Sequence, residues 1–207
     1  MPLSAAKATE ELCDTLAAGL VDKGYVLLDD VLEVSLCERL VRAAEAMDAR
    51  GGFAVAGTGR SAGHRLDSLT RSDSICWLRP ELVADAAYLG FCEDIRLGLN
   101  RRLLLGLLDQ EAHYARYKPG AFYARHRDAF AGQRNRMLST VFYLNRDWPE
   151  GAGGELVLYD GSGEQVLQSL APRFNRLIVF LSEVFPHEVK PAMRTRYSIA
   201  GWFRLRR

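Results

Sequence analysis

The sequence has no strong charge of either sign, no paired cysteines and no long hydrophobic run. Its 207 residues include 27 lysines and arginines against 26 aspartates and glutamates, a formal net charge of +1. A balance this close to zero argues against a protein whose main task is to coat nucleic acid. The four cysteines are scattered without a CxxC pair, which is typical of reduced thiols rather than of a disulfide framework.

Targeting and hydrolase signals are also missing. No apolar run approaches the length that crosses a membrane, and the stretch MPLSAAKATEELCDTL lacks the hydrophobic core of a signal peptide. We therefore expect a cytoplasmic protein without a membrane partner. No GxSxG motif supports a Ser-His-Asp hydrolase. Hydrophobic residues make up an ordinary 48%, and the length suits one well-buried domain over residues 1–207.

The first half of the chain predicts helices around a short strand. Leucines recur every fourth residue within 5–22, which indicates an amphipathic helix. A second helix is expected over 35–49, with Ser35 as its N-cap. The stretch YVLLDDVL between them, at 25–32, is typical of a buried strand. We interpret both helices as supports that pack against a sheet.

A polar, glycine-rich stretch at 57–73, GTGRSAGHRLDSLTRSD, separates two short expected strands, FAVA and SICWL. A loop this long in a compact domain is commonly a lid or binding finger, so we expect a mobile functional loop, with a solvated idle loop as the alternative. His64 has no partner at metal-ligand spacing and is left out of the site.

A further helical region is expected from Pro80 to about residue 108, broken near Gly90 and Gly98. Its last leucines are expected in the core: Leu103, Leu104, Leu107 and Leu108.

From residue 111 onward, short apolar runs follow one another with turn residues between them, which indicates a β-sandwich or barrel. The predicted fold is α+β but mainly β. Its core, residues 111–207, is a jelly roll, the cupin-like double-stranded β-helix, and residues 1–110 give helical support on one side.

A metal site is indicated by HYARYKPGAFYARHRDAF. Side chains alternate along an extended strand, so His126 and Asp128 share a face. A third ligand, for which His187 is the candidate, would complete a 2-His-1-carboxylate triad, which leaves open positions on a non-haem Fe(II). Alone, an HxD pair is weak evidence and is more typical of an ordinary surface strand.

Arg196 strengthens this hypothesis. In a hairpin turning at Pro191-Ala192, we expect Arg196 to lie opposite His187 on a neighbouring strand. Its own strand offers no acidic partner, and an unpaired buried charge is costly. A bound acidic small molecule would supply the counter-charge, with the Tyr143 hydroxyl as a further donor. The alternative is a structural arginine paired with a distant acid.

These segments together resemble a known family. HRD, VFYLNRDW, GGELVLY, PRFNRLIVF and PHEVKPAMRTRYSIAGWF are similar to the Fe(II)- and 2-oxoglutarate-dependent prolyl hydroxylases of the hypoxia-inducible-factor type, as a compact, bacterial-like member. The resemblance extends upstream to KGYVLLDDVL, and the 57–73 loop falls where the family has its mobile substrate finger. It covers residues from about 20 to 206.

The resemblance implies a role for each matching residue and a reaction. Fe(II), 2-oxoglutarate and O2 are the implied cofactors, with ascorbate in support. The reaction would be 4-hydroxylation of a prolyl residue in a protein, giving succinate and CO2, with a link to oxygen sensing and elongation factor Tu as candidate target. The implied site comprises Fe(II) ligands His126, Asp128 and His187, cosubstrate residues Arg196, Tyr143, Tyr117, Leu156 and Val141, and proline-pocket residues Tyr123, Arg136 and Trp202.

Three alternatives stay open at this point. A 2-oxoglutarate oxygenase acting on an amino acid, small metabolite or nucleobase would share the metal site and Arg196. Its nucleic-acid version has only a local basic patch in its favour (Arg125, Arg127, Arg134 and Arg136). A metal cupin without cosubstrate would not need Arg196, and a non-catalytic module could sense 2-oxoglutarate or hold a peptide. For Tyr117, Tyr123 and Trp202, simple core packing is an equal alternative.

Overall fold

The computed structural model describes residues 9–57, 69–129 and 135–205. These residues form three helices and eleven strands. The helices are α1 (Glu10–Asp22), α2 (Val34–Ala49) and α3 (Val83–Leu103); the strands are β1 (Tyr25–Leu28), β2 (Ala54–Val55), β3 (Ser74–Trp77), β4 (Asp109–Tyr117), β5 (Tyr123–His126), β6 (Arg136–Tyr143), β7 (Leu156–Tyr159), β8 (Val166–Leu170), β9 (Leu177–Leu181), β10 (His187–Val189) and β11 (Arg196–Arg204).

The strands pair antiparallel in two sheets. The major sheet has the order β1-β9-β6-β11-β4-β3-β2, and the minor sheet has the order β5-β10-β7-β8. Apolar side chains of both sheets pack together between them, among them Ile178 and Phe180 from the major sheet and Leu156 and Leu158 from the minor one. This arrangement confirms the predicted jelly roll. Strands β1, β2 and β3 from the first half of the chain extend the major sheet.

The helices cover the outer face of the major sheet. Both α1 and α2 pack against α3, which in turn packs on β4. Alternation along β4 and β11 divides the side chains: Tyr114, Ile199 and Phe203 join the helix-side core. The intervening residues on these strands, including His113 and Arg196, line the cavity between the sheets. A shift of one residue in the strand register would therefore exchange the side chains that pack in the core with those that line the cavity.

The helix starts differ from the predicted ones. The first helix begins at Glu10, where the Thr9 hydroxyl accepts a hydrogen bond from the Leu12 amide at 3.1 Å; residues 5–8 lie outside the described residues. The second begins at Val34, so the predicted Ser35 N-cap is wrong. The Glu33 carbonyl accepts from the amides of the first turn, and Glu33 makes no side-chain cap bond.

The third helix begins at Val83 rather than Pro80 and continues without a break through both glycines. A Cβ on Gly98 would come within 2.4 Å of the Cys13 sulfur, so this glycine permits close contact between α1 and α3. The helix ends where Leu104 adopts a left-handed conformation, φ 52°.

The prediction of a leucine core after this helix is only partly right. Leu107 is buried and Leu103 packs against the helix-side core. Leu104 and Leu108 are exposed by 87% and 56%, because the chain turns away from the core after the helix. The strand predicted over 25–32 ends at Leu28, ahead of a turn at Asp30, φ 54°. No helix in the described ranges combines the length and hydropathy needed to cross a bilayer.

Candidate active site

A cavity of about 580 Å³ opens between the two sheets. It is lined by almost all of the residues that the sequence placed in the site. They are Tyr117, Tyr123, His126, Asp128, Arg136, Val141, Leu156, His187, Arg196 and Trp202. Tyr143 is fully buried beside Arg196, whose guanidinium carbon is 5.1 Å from the centre of its ring.

Two histidines and one aspartate form a candidate metal centre. One ligand atom from each of His126, Asp128 and His187 lies within 4.8 Å of the others. The two Asp128 carboxylate oxygens are each 3.6 Å from a histidine Nε2, Oδ1 from His126 and Oδ2 from His187. Such spacing suits ligands that converge on one ion with bonds of about 2 Å.

Strand pairing positions the histidines, and backbone carbonyls orient their rings. His126 on β5 and His187 on β10 are direct register partners. The Nδ1 of His126 lies 2.8 Å from the Ala124 carbonyl, and that of His187 lies 3.2 Å from the Phe185 carbonyl. A carbonyl only accepts, so each ring donates from Nδ1, and each Nε2 keeps its lone pair for a metal.

The protonation states also favour a cation. Burial, together with the charge of His126, lowers the pKa of His187 to about 4, so its ring is neutral near pH 7. Burial alone would raise the pKa of Asp128. The neighbouring His187 and His126 and a hydrogen bond from Ser139 outweigh it, and the pKa of Asp128 falls well below its usual range. The triad therefore offers a neutral imidazole at His187 and an ionised carboxylate at Asp128.

Two details of the predicted geometry are wrong. Asp128 does not lie on a strand, since β5 ends at His126 and the chain bends after it. His187 and Arg196 are not hairpin neighbours either. Strand β10 pairs with β5 and β7, whereas β11 pairs with β4 and β6, because the chain changes sheets between residues 189 and 196. Both side chains nevertheless line the same cavity.

Arg196 is 1% exposed and incompletely satisfied. Its Nε donates to the Gly154 carbonyl at 3.0 Å and its Nη1 to the Ser198 hydroxyl at 3.1 Å. Its Nη2 and the Tyr143 hydroxyl have no hydrogen-bond partner among the described residues. Buried donors of this kind are rare and costly unless a ligand satisfies them, and a carboxylate matches a guanidinium well.

Two glycines allow this arrangement. Gly153 and Gly154 have φ of +72° and +76° and follow the Trp148 turn. A Cβ on Gly153 would come within 2.3 Å of the Pro191 carbonyl oxygen. A Cβ on Gly154 would contact Trp148 at 3.1 Å and Arg196 at 3.4 Å. The GG of GGELVLY thus lets the chain approach the arginine closely enough for a carbonyl to bind it.

Aromatic rings and arginines form the rest of the wall. The Tyr123 ring stacks on the His126 ring with centroids 3.6 Å apart. The guanidinium carbon of Arg71 lies 4.2 Å from the centre of the Tyr123 ring, and two hydrogen bonds to Asp73 hold this arginine in place. Tyr123 thus packs against a metal ligand as well as lining the cavity.

Near the other end of the wall, Arg136 lies 3.5 Å from the Trp202 ring centre and is hydrogen-bonded to Glu111 at 2.9 Å. His113 packs between Trp202 and Trp77. Its buried Nδ1 and the Trp202 Nε1 have no hydrogen-bond partner within the described part of the chain.

Two arginines of the predicted basic patch, Arg127 and Arg136, line the cavity. Arg136 is hydrogen-bonded to Glu111, whereas Arg125 and Arg127 donate to the carbonyls of Gly163 and Gly161. Arg134, His64 and most of the 57–73 loop lie outside the described residues.

Comparisons with known proteins agree with this site. The sequence model of the 2OG-Fe(II) oxygenase superfamily matches residues 112–204. A prolyl-4-hydroxylase of Pseudomonas putida, known from a crystal structure, is 36% identical, with a TM-score of 0.85 over 94% of this chain and 100% of that one. The chain belongs to the prolyl hydroxylase family of 2OG-Fe(II) oxygenases.

Other members of the family are similar to shorter stretches or at lower identity. A prolyl hydroxylase from Trichoplax adhaerens, in complex with a peptide fragment of the hypoxia inducible factor oxygen degradation domain, is 26% identical with a TM-score of 0.81, over 94% of this chain and 90% of that one. Egl nine homolog 1 of Rattus norvegicus is 36% identical over 85 residues, 41% of this chain. The chain spans about a quarter, 25%, of that curated relative.

Membership confirms the predicted resemblance and the cofactors Fe(II), 2-oxoglutarate and O2. The residues of this chain fit those groups. The triad has the donor types of a non-haem Fe(II) site, and the unsatisfied Arg196 and Tyr143 atoms suit the carboxylate of 2-oxoglutarate.

Sequence reasoning missed several residues around the site. Ser139 donates to Asp128, and Ser182 lies behind it. Strand alternation carried a signal for the first, because Ser139 falls on the same face as Val141 and Tyr143. Alternation along β4 also marked His113, which shares a face with Tyr117. No pattern marked Trp77, whose position in the wall depends on the pairing of β3 with β4.

Proposed function

We propose that the protein hydroxylates a prolyl residue of a protein substrate at the 4-position, with succinate and CO2 as coproducts. One observation carries this proposal: a three-ligand metal cluster and a buried arginine with an unsatisfied donor share one cavity. A metal cupin without cosubstrate gives no reason to bury Arg196 without an acidic partner.

In this proposal His126, Asp128 and His187 hold Fe(II). Three protein ligands would leave open positions on a non-haem Fe(II) for cosubstrate and oxygen. When bound, Fe(II) and 2-oxoglutarate together activate O2 for hydroxylation and release succinate and CO2. No side chain has to act as nucleophile or general base, and the protein supplies orientation and excludes competing reactions.

Arg196 and Tyr143 would bind the distal carboxylate of 2-oxoglutarate. Gly154 and Ser198 fix the arginine at its Nε and Nη1, so that Nη2 is left for the ligand. Burial makes such charge-assisted bonds stronger than they are in water. Val141 and Leu156, which line the cavity, would contact the aliphatic part of the cosubstrate. The family resemblance would place Tyr117 near the metal-side end of the cosubstrate, but its ring centre is 4.8 Å from the guanidinium carbon of Arg196, which would bind the distal end.

Tyr123, Arg136 and Trp202 would line the pocket for the prolyl ring. Their contacts support a rigid wall, since Tyr123 is stacked between His126 and Arg71 and Trp202 is covered by Arg136. A fixed wall beside the metal centre holds the target carbon near the ion and limits access of water.

The proposed target class is a proline within a protein, as the names of the Pseudomonas and Trichoplax relatives indicate for those proteins. Elongation factor Tu is the candidate that the resemblance to compact bacterial members suggests. Support by ascorbate and a role in oxygen sensing stay predictions of that resemblance.

The direct test incubates the purified chain with Fe(II), 2-oxoglutarate, air and either proline-containing peptides or intact elongation factor Tu. We expect a mass gain of one oxygen atom on a proline, with matching succinate. Arg196→Ala should lose both products. Unchanged activity in that variant would favour a cupin without cosubstrate, and oxidation only of free amino acids or metabolites would favour a small-molecule oxygenase.

A further inference from the structure

The three metal ligands are held in unequal ways. His126 and His187 lie on paired strands of the minor sheet, so the hydrogen-bonded ladder fixes their backbones relative to one another. Asp128 has no such support, since it follows the end of β5 in a bend.

A side chain from the opposite sheet takes the place of that support. The Ser139 hydroxyl, on β6 of the major sheet, is 2.7 Å from Asp128 Oδ2. Ser139 is also 2.9 Å from the Ser182 hydroxyl, and both serines are fully buried. Ser182 follows β9, and its amide donates to the Met137 carbonyl at 3.1 Å, which ties it to β6.

The direction of this chain of hydroxyls follows from its chemistry. An ionised carboxylate can only accept, so the single Ser139 hydroxyl proton points at Asp128. Ser139 can then act only as acceptor towards Ser182. The order is therefore Ser182 to Ser139 to Asp128, and hydrogen bonds in series polarise and strengthen one another.

We propose that Ser139, oriented by Ser182, is a positioning residue for the metal centre. It donates to Asp128 Oδ2 at 2.7 Å and so fixes the orientation of the carboxylate beside the two histidines. The hydrogen bond links β6 of the major sheet to the bend that follows β5, and it sets the place of the one ligand that strand pairing does not fix. The inference rests on the proposed role of the triad as the metal site.

The test measures Mn(II) affinity without cosubstrate, through the electron paramagnetic resonance signal of free Mn(II). Removing an outer partner of a metal ligand typically weakens affinity about 10- to 100-fold. We expect a loss of that size in Ser139→Ala and a smaller loss in Ser182→Ala. Ser139→Thr keeps the hydroxyl in a strand-compatible residue and should restore affinity to within a few-fold.

Ser198→Ala is the matched control, because Ser198 is equally buried but contacts Arg196 instead of a metal ligand. Its Mn(II) affinity should equal that of the wild type. Thermal melting of the metal-free variants checks folding, and Ser182→Ala carries the test should Ser139→Ala not fold.

Unchanged Mn(II) affinity in Ser139→Ala or Ser182→Ala would overturn the inference. So would an equal loss in Ser139→Thr or Ser198→Ala, since the effect would then not belong to this hydroxyl. A wild-type chain that fails to bind Mn(II) would instead overturn the proposed metal site itself, so the two failures are distinguishable.

Discussion

The two walls of the cavity differ in how far the protein satisfies its own polar groups. On the side of the minor sheet, each metal-ligand histidine has a carbonyl partner and Asp128 has Ser139. The side of the major sheet, by contrast, has buried polar atoms that make no hydrogen bond. Among the described residues in and beside the cavity, these atoms belong to four side chains: His113, Tyr143, Arg196 and Trp202.

This difference indicates two ways of building a binding site. The metal ligands are oriented before an ion arrives, which limits the reorganisation needed to bind it. At the end of the cavity formed by Arg196 and Tyr143, the anion end, the buried charge of Arg196 finds its partner only when the ligand binds. The ligand-free protein is less stable as a result. Changes on the two sides should therefore have opposite signatures in stability and binding.

The largest effect is expected at Asp128. Asp128→Asn removes the only carboxylate of the described triad, so Mn(II) binding and metal-dependent thermal stabilisation should disappear. Paired melting curves with and without Mn(II) measure this. A variant that still melts higher with Mn(II) would place the ion elsewhere.

At the anion end, Arg196→Met should separate binding from stability. Truncating one partner of a buried, hydrogen-bonded charge pair costs about 2–5 kcal/mol, so 2-oxoglutarate affinity should fall about 30-fold to several thousand-fold. The ligand-free variant should be as stable as the wild type or more stable, because an uncompensated charge is gone. Calorimetric titration and urea unfolding measure the two quantities.

Loss of several kcal/mol in the ligand-free Arg196→Met protein would contradict this account. It would mean that Gly154 and Ser198 alone make the arginine a structural element.

His113 gives the same wall a dependence on pH. Burial, with the nearby charges of Arg71 and Arg136, lowers the pKa of His113 to about 3, against an ordinary value of 6.5. As the pH falls below 6.5, His113 takes up a proton in the unfolded chain but not in the folded protein. The free energy of unfolding therefore falls by about 1.4 kcal/mol per pH unit from this group. Above pH 6.5 the contribution is constant.

His113→Leu should remove that component. Urea unfolding of both proteins at pH 7, 6 and 5 should show the wild type losing more stability than the variant as pH falls, by about 1.4 kcal/mol per pH unit below 6.5. Parallel curves would show that folded His113 takes up its proton at an ordinary pH.

The smallest effect on 2-oxoglutarate affinity is expected at Tyr143. Tyr143→Phe removes one neutral donor to a carboxylate, worth about 1.5–3 kcal/mol, so this affinity should fall roughly 12- to 160-fold. Stability without ligand should be unchanged, since the hydroxyl has no partner in the described structure. A loss of 2-oxoglutarate affinity as large as that in Arg196→Met would contradict the proposal that Arg196 contributes most of the binding and Tyr143 only one further hydrogen bond.

Much of the site could be predicted from residue types and alternation. The HxD pair, His187 and Arg196 were recognisable because their flanking segments resemble a known family, and period-two alternation along β4 and β11 assigns the cavity face. The change of sheet between His187 and Arg196 was not predictable, because a short turn at Pro191 looks the same in a hairpin and in a crossover.

Packing between distant segments decided the rest. Gly98 looked like a helix break, but it is the contact point for Cys13, some 85 residues earlier in the chain. Ser139 and Ser182 come together through the pairing of β6 with β9, and a single serine in a strand carries no sign of such a partner. Leu104 and Leu108 have apolar side chains and were therefore predicted to be buried, but the turn after α3 exposes them.

The central claim, that the triad and Arg196 hold one metal ion and one keto-diacid together, is tested most directly by anaerobic titration of the Fe(II)-loaded protein with 2-oxoglutarate. We predict a visible charge-transfer absorption band that saturates with cosubstrate, is absent in Asp128→Asn and needs far more 2-oxoglutarate in Arg196→Met. A wild-type protein without the band, or an Arg196→Met variant that saturates at the wild-type concentration, would contradict it.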